Sequence, residues 1–153
     1  MYKKIYLGAA YYPEMWDESE IDKDIERCKE LGINCLRVGE FAWGRMVPKE
    51  GEFDFGWLLR VVDKLYENGI YTVMCTPSAT PPRWLLNKYP ETRMVMHDLI
   101  RADVSSRCHT CKTSQIMREK NRIIVTEMAK AFAGHKGIIG WQIDNEIFPY
   151  TEG

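Results

Sequence analysis

Two hydrophobic patterns alternate along this chain. Short runs of consecutive hydrophobic residues are separated by longer segments in which hydrophobic residues recur every three or four positions. The runs are typical of parallel strands covered on both faces, and the longer segments are typical of amphipathic helices. The order is strand, helix, strand, helix, strand, long polar segment, helix, strand, which predicts an α/β protein with a parallel sheet.

Four segments have the composition of buried strands. They are rich in valine, isoleucine and aromatic residues and are bounded by polar residues or glycine. The predicted strands span residues 5–12, 33–40, 70–76 and 138–146.

Three segments have hydrophobic residues on one helical face. They span residues 17–32, 55–69 and 114–134, and Gly32 and Gly69 are expected to end the first two. The positions predicted to face inward are Ile21, Ile25 and Cys28, then Leu58, Val61, Val62 and Leu65, and finally Ile116, Ile123, Ile124 and Met128.

Residues at the predicted helix starts carry capping signals. Asp17 and Glu20 have the spacing of a capping box, and Ser114 is suited to cap the third helix. The long polar segment from Pro77 to Thr113 has no comparable pattern, so we expect irregular structure there.

The polar residues near the carboxyl ends of the strands distinguish two candidate architectures. A doubly wound sheet concentrates its ligand at one switch point, often with a glycine-rich phosphate loop, and the chain contains neither GxGxxG nor GxxxxGK[ST]. A (β/α)₈ barrel builds its site from all strand ends. Every predicted strand here supplies such residues: Tyr12 and Glu14, then Arg37, Glu40 and Trp43, then Thr76 and Ser78, and finally Asn145 and Glu146.

The barrel is therefore the favoured fold. A complete (β/α)₈ barrel typically has about 250 residues, whereas this chain has 153. We expect residues 1–153 to supply about the first four βα units of a single catalytic domain, with the remaining units outside this chain.

The composition and charge of the chain argue against nucleic acid and membranes as binding partners. The chain is 45% hydrophobic and 28% charged with a formal net charge of -1, as in an ordinary globular domain. This charge gives no basic field for nucleic acid and no polybasic membrane patch. The N-terminal residues do not resemble a signal peptide and no stretch reaches membrane-spanning length, so a cytoplasmic location is expected.

The five cysteines do not indicate a disulfide framework. Cys28, Cys35 and Cys75 lie within hydrophobic patterns and are expected to be buried. Cys108 and Cys111 form "CHTC", which leaves three interpretations open: half of a zinc site, a redox pair, or two loop cysteines without a role.

The segment "GWQIDNE" places an aspartate, an asparagine and a glutamate at the end of a hydrophobic strand. Burying such groups is costly unless they have partners or a function. Trp43, Trp84, Arg37 and Arg107 add aromatic faces and hydrogen-bond donors that suit a sugar, and a carboxylic acid can protonate a glycosidic oxygen. The alternative is that both tryptophans belong to the core and that Arg37 pairs with Glu40.

Five motifs resemble the N-terminal half of glycoside hydrolase family 42 β-galactosidases. They are "YYPEMW", "LRVGEFAWGRMVPKEGEFDF", "TPSATPPRWL", "SSRCHTC" and "GWQIDNE", and the similarity runs from Ala9 to Glu146. The resemblance implies a retaining glycosidase that cleaves terminal β-D-galactosides, with no cofactor for catalysis.

The resemblance also assigns roles to residues. It implies that Glu146 is the general acid/base, that Asn145 contacts the sugar 2-hydroxyl, and that Arg107 and Arg37 contact the substrate. Asp144 is expected to be structural. We expect a distortion at the strand end, because neighbouring strand residues otherwise point to opposite sides.

Other family properties fall partly outside this chain. The nucleophile of the family is a glutamate on the seventh strand, and Glu14 and Glu40 are not expected to replace it. Cys111 matches the first of four cysteines that hold a structural zinc in many members, and members often form homotrimers. The alternative function is a non-catalytic half-barrel that binds sugar or takes part in assembly.

Overall fold

Four parallel strands form one sheet in the computed structural model, which describes residues 4–104 and 109–146. Their order in the sheet equals their order along the chain. Each strand therefore lies beside its predecessor, as in the wall of a barrel and without the switch point of a doubly wound sheet. The strands are β1 (Gly8–Ala10), β2 (Cys35–Val38), β3 (Tyr71–Cys75) and β4 (Ile138–Gln142).

The helices connect successive strands and cover the central part of the sheet. Three of them coincide with the predicted amphipathic segments, and two short helices follow β2 and β3. They are α1 (Ile21–Glu30), α2 (Trp43–Met46), α3 (Gly56–Glu67), α4 (Arg83–Lys88) and α5 (Gln115–Ala131). Short 3₁₀ turns span Pro13–Met15, Glu18–Glu20 and Pro90–Thr92.

The core lies between the two central strands and the helices. Val38 of β2, Met74 of β3 and Leu58 of α3 are fully buried within it. The predicted inward face of α3 is confirmed, because Leu58, Val61, Val62 and Leu65 are all buried.

The expectation that every strand is covered on both faces is wrong for the edges of the sheet. All three residues of β1 are exposed. On β4 the alternate positions Ile139 and Trp141 are 41% and 38% exposed, and Ile143, just after the strand, is 73% exposed. In the described part of the chain, no helix packs over this outer row.

Two details of the helix predictions are also wrong. Asp17 caps the short turn Glu18–Glu20 by accepting from Ser19 N, and Glu20 pairs with Lys23, so no capping box forms. In α5 Met117 is buried, whereas Ile116 and Ile123, which were predicted to face inward, are only partly buried. Ser114 caps α5 as predicted, accepting from Met117 N at 3.3 Å.

The long polar segment contains more order than predicted. Besides α4, two isolated bridges pair Arg93 with Thr110 and Val95 with Arg101. Residues 105–108, which include Arg107 and Cys108, lie outside the described residues.

The buried cysteines follow the prediction in part. Cys35 and Cys75 are buried and Cys28 is half-buried. These three and Cys111 are free thiols in the described chain. Burial raises the pKa of the Cys75 thiol to about 12, so it remains protonated at neutral pH.

Within the described ranges, none of the helices has the length and hydrophobicity needed to cross a membrane.

Candidate active site

An open cavity of about 620 Å³ lies at the carboxyl ends of the strands. Residues that follow β1, β2, β3 and β4 all contribute to its wall. This is the end of the sheet where a (β/α)₈ barrel builds its site. The lining residues are Tyr12, Met15, Arg37, Glu40, Phe41, Thr80, Asn145 and Glu146.

An ion pair between a half-buried arginine and a buried carboxylate forms one side of this cavity. Arg37 Nη2 lies 2.9 Å from Glu40 Oε2, and the Glu40 residue is 2% exposed. Gly39, with φ of 89°, turns the chain after β2, and only glycine adopts such a value without cost. The Tyr12 hydroxyl donates to Glu40 Oε2 at 3.2 Å, and burial together with this carboxylate raises the pKa of Tyr12.

Gln142, the last residue of β4, joins this ion pair to the end of its own strand. Its Oε1 accepts from Arg37 Nη1. Its Nε2 donates to the Asp144 carbonyl at 3.0 Å and lies 3.4 Å from both Glu40 Oε1 and Asn145 Oδ1. The Gln142 side chain thus contacts Arg37 on β2 and Asn145 after β4, both of which line the cavity.

The backbone after β4 is distorted, as the sequence predicted. Asp144 has φ of 58° and Glu146 has φ of 45°, both in the left-handed region that residues other than glycine rarely adopt. Such strain persists only where the surroundings enforce it, and it is concentrated at functional sites.

Asp144 anchors this distorted segment. Its backbone N–H donates to Thr76 Oγ1 at 2.7 Å, and its carboxylate accepts from Asn145 N at 2.9 Å and pairs with Lys112 at 3.0 Å. These contacts agree with the structural role expected for Asp144, and they leave Asn145 and Glu146 at the cavity wall.

The structure brings together three of the predicted site residues. Arg37 lines one cavity with Asn145 and Glu146 although it is far from both in sequence. Arg107 lies outside the described residues. Cys111 does not line this cavity.

The prediction that Trp43 and Trp84 lie at the site is wrong. Trp43 is 2% exposed, and Trp84 Nε1 donates to the Val47 carbonyl at 2.8 Å. Both line a separate pocket between α2 and α5. The aromatic side chains at the cavity are instead Tyr12 and Phe41, which stack with ring centroids 5.2 Å apart.

Sequence reasoning did not identify Gln142 as a site residue. Within β4, the half-buried residues are Ile138, Gly140 and Gln142, whereas Ile139 and Trp141 are exposed. Gln142 is therefore the polar residue among the less exposed positions of the strand. Alternation with a period of two was the available signal.

Glu14 is a buried carboxyl group beside the site. Both of its carboxylate oxygens are buried without a hydrogen-bond partner in the described chain. Burial raises its pKa, against a smaller lowering by nearby backbone amides and Arg45.

Cys111 is a half-buried free thiol beside a threonine hydroxyl. Its sulfur lies 3.2 Å from Thr113 Oγ1, and this contact lowers the thiol pKa. Among the described residues no group of three or more histidine, cysteine or acidic side chains could hold a metal ion. A structural zinc needs four ligands, so these residues do not form a zinc site by themselves.

Comparison with known proteins is consistent with this geometry. The sequence profile of glycoside hydrolase family 42, described as beta-galactosidase, matches residues 10–151. Beta-galactosidase YesZ of Bacillus licheniformis is 46% identical over 144 residues, which are 94% of this chain and 22% of that protein. Beta-galactosidase BgaA of Clostridium cellulovorans is 41% identical over 141 residues, 92% of this chain and 21% of that protein.

Solved structures match the fold closely. A beta-galactosidase from Bacillus circulans superimposes with a TM-score of 0.91 at 28% identity, and one from a Rahnella species with 0.90 at 37%. Each comparison covers 95% of this chain and 22% of the other. The structural relatives are (β/α)₈ barrels, which confirms the predicted fold class.

The chain spans about 22% of the length of these relatives. Over that part, sequence and structure agree from the first strand to the end of the fourth. The chain belongs to glycoside hydrolase family 42, the β-galactosidase family.

Proposed function

We propose that the complete protein is a retaining β-galactosidase and that this chain supplies the first four strands of its barrel with the helices that connect them. The observation that carries the proposal is that Arg37, Asn145 and Glu146 line one cavity at the carboxyl ends of the strands. A guanidinium, an amide and a carboxyl group are the groups required to hold a sugar and to protonate its glycosidic oxygen.

Glu146 is the general acid/base in this mechanism. As an acid it donates its proton to the leaving-group oxygen, and as a base it then takes a proton from the water that releases the sugar. The nucleophile is a second glutamate, outside this chain, which attacks the anomeric carbon. A retaining geometry requires the two carboxyl groups to be about 5–5.5 Å apart.

The other site residues bind the sugar. Arg37 is held by Glu40 and Gln142, so its remaining N–H groups have a fixed direction toward substrate hydroxyls. Asn145 contacts the 2-hydroxyl, and Arg107 supplies a further contact. Tyr12 and Phe41 form a wall that suits the apolar face of a sugar ring.

Cys111 has a structural role in the proposal. It supplies one thiolate of a four-cysteine zinc site whose other ligands are outside this chain, and the zinc takes no part in catalysis. Cys111 is a free thiol, and zinc binds such a group as the thiolate. We further expect a cytoplasmic protein that forms homotrimers and acts without nucleic acid or membrane partners.

Hydrolysis of nitrophenyl β-D-galactoside by the complete protein tests the proposed activity. We expect turnover with retention of the anomeric configuration, followed by NMR, and loss of turnover in Glu146→Ala. Glu26→Ala is the control, since Glu26 is exposed and, within the described chain, pairs with Lys29 at 2.9 Å on α1. Galactose binding without any hydrolysis would favour the non-catalytic alternative.

A further inference from the structure

Gln142 makes hydrogen bonds of two kinds with opposite ends of its amide. Its oxygen faces the Arg37 guanidinium, which can only donate. Its nitrogen faces three oxygen atoms, from Asp144, Asn145 and Glu40. Reversing the amide would place its oxygen against these three acceptors, so the neighbours allow a single orientation.

This orientation determines which part of Asn145 faces the cavity. The Gln142 amide nitrogen donates toward Asn145 Oδ1, at 3.4 Å. The Asn145 carbonyl is thereby directed at Gln142. Its NH₂ group has no hydrogen-bond partner among residues 4–104 and 109–146, which leaves it for a ligand in the cavity that Asn145 lines. Without a donor at position 142, the Asn145 amide could present either end to the substrate.

Gln142 also connects this amide to the arginine on the other side of the cavity. In the sheet, Arg37 pairs with Val73 and Val73 pairs with Gly140, so Arg37 and Gln142 lie on two strands that flank β3. The Arg37 side chain crosses β3 to reach Gln142. One side chain therefore orients both an amide and a guanidinium at the cavity wall.

We infer that Gln142 is a positioning residue that fixes the Asn145 amide with its NH₂ group toward the substrate and aligns Arg37 with it. The inference rests on the proposed function, because it assigns a direction to the hydrogen bond between Asn145 and the 2-hydroxyl. Gln142 itself does not line the cavity and acts through its two neighbours.

Replacement of Gln142 in the complete protein tests this role. Gln142→Met keeps the length of the side chain but removes its donor and its acceptor. We expect kcat/KM for nitrophenyl β-galactoside to fall about 10²-fold, as for a misplaced contact to a reacting substrate. Gln142→Glu keeps an acceptor for Arg37 but loses the donor to Asn145, and we expect a loss at least as large.

The specific measurement is the preference for a 2-hydroxyl. For each variant, kcat/KM is compared between nitrophenyl β-galactoside and its 2-deoxy analogue. A misdirected Asn145 amide should lower this preference at least about 10-fold in Gln142→Met and Gln142→Glu, because a site built to bind a hydroxyl discriminates through that bond. A purely structural role would reduce both activities equally.

Two further variants make the outcome unambiguous. Gln115→Ala, at an exposed position of α5, is the matched control and should change neither value. Asn145→Ala should itself lose the preference, and if it does not, the proposed role of Asn145 fails and the inference fails with it. If Asn145→Ala loses the preference while both Gln142 variants keep it, the inference about Gln142 alone is overturned. Melting temperatures confirm that each variant is folded, and Gln142→Glu carries the test if Gln142→Met does not fold.

Discussion

The guanidinium of Arg37 is held from two sides, by the buried carboxylate of Glu40 at 2.9 Å and by the side chain of Gln142. The two contacts use different N–H groups, Nη2 and Nη1. Arginine suits this position because its planar fork satisfies two acceptors at once, whereas lysine carries a single point charge.

Arg37→Lys should therefore weaken substrate binding more than it weakens the fold. The lysine retains the charge beside Glu40 but cannot also satisfy Gln142 and the substrate. We expect kcat/KM for nitrophenyl β-galactoside to fall at least about 10-fold, mainly through KM, since a lost hydrogen bond to a charged group is worth about 1.5–3 kcal/mol. Arg27→Lys is the matched control, because Arg27 pairs with Asp24 on the exposed face of α1. Equal effects of both variants would remove Arg37 from the substrate site.

Replacement of Glu146 with Gln should give a loss that depends on the leaving group. The change removes the transferable proton, so hydrolysis of a natural β-galactoside should fall about 10²-fold to 10⁴-fold. An activated nitrophenolate leaves without protonation, so the covalent intermediate should accumulate and give a burst. Azide, which needs no base, should restore turnover and release a β-galactosyl azide.

The comparison of the two leaving groups also distinguishes a general acid/base from other roles of Glu146. Equal losses on both substrates without rescue by azide would indicate a nucleophile, and no loss would indicate a structural carboxylate. Glu26→Gln, on the exposed face of α1, should leave both rates and the burst unchanged.

The buried carboxyl group of Glu14 predicts a pH-dependent stability. Because burial raises its pKa above the ordinary value of 4.5, the folded protein binds this proton more tightly than the unfolded chain does. Its contribution to stability is therefore complete below the ordinary value and is lost as pH rises through the raised value. Glu14→Gln should have a higher melting temperature than wild type at neutral pH, and the difference should disappear below about pH 4. A difference that is constant with pH would show that the Glu14 pKa is the same in the folded and the unfolded protein.

Metal analysis tests the role of Cys111. If it binds a structural zinc, the complete protein should contain about one zinc per chain, and Cys111→Ser should lose both zinc and thermal stability. Cys28→Ser is the control, since Cys28 is a half-buried free thiol of α1. Full zinc content in Cys111→Ser would exclude the cysteine as a ligand.

The sequence predicted the elements whose residues follow one strong periodicity. Helix α3 matches because its hydrophobic face is continuous and every inward residue is buried. In α5 several hydrophobic residues are adjacent in sequence, so the pattern did not distinguish Ile116 from Met117. Strand β1 is shorter than the predicted strand 5–12. A strand is defined by backbone pairing, and within this segment Gly8–Ala10 pair with β2.

The sequence predicted those parts of the candidate site in which the residue type itself indicates a chemical role. Glu146, Asn145 and Arg37 stood out near the carboxyl ends of predicted strands and in the motifs that resemble the family, and the structure places them around one cavity. The positions of Trp43 and Trp84 were not predictable, because an aromatic residue near a strand end suits a sugar site and a core equally. The contacts of Gln142 depend on the register of β2, β3 and β4, which no local pattern specifies.

The contact between Arg37 and Gln142 joins residues 105 positions apart. Closing so long a loop costs conformational entropy that only paired and packed strands can offset. The contact should therefore be absent from the transition state for folding and should form as β4 docks against β3. An interaction that forms after the transition state slows unfolding without accelerating folding. A galactose analogue bound at this cavity would accordingly lengthen the lifetime of the native protein while leaving its refolding rate unchanged.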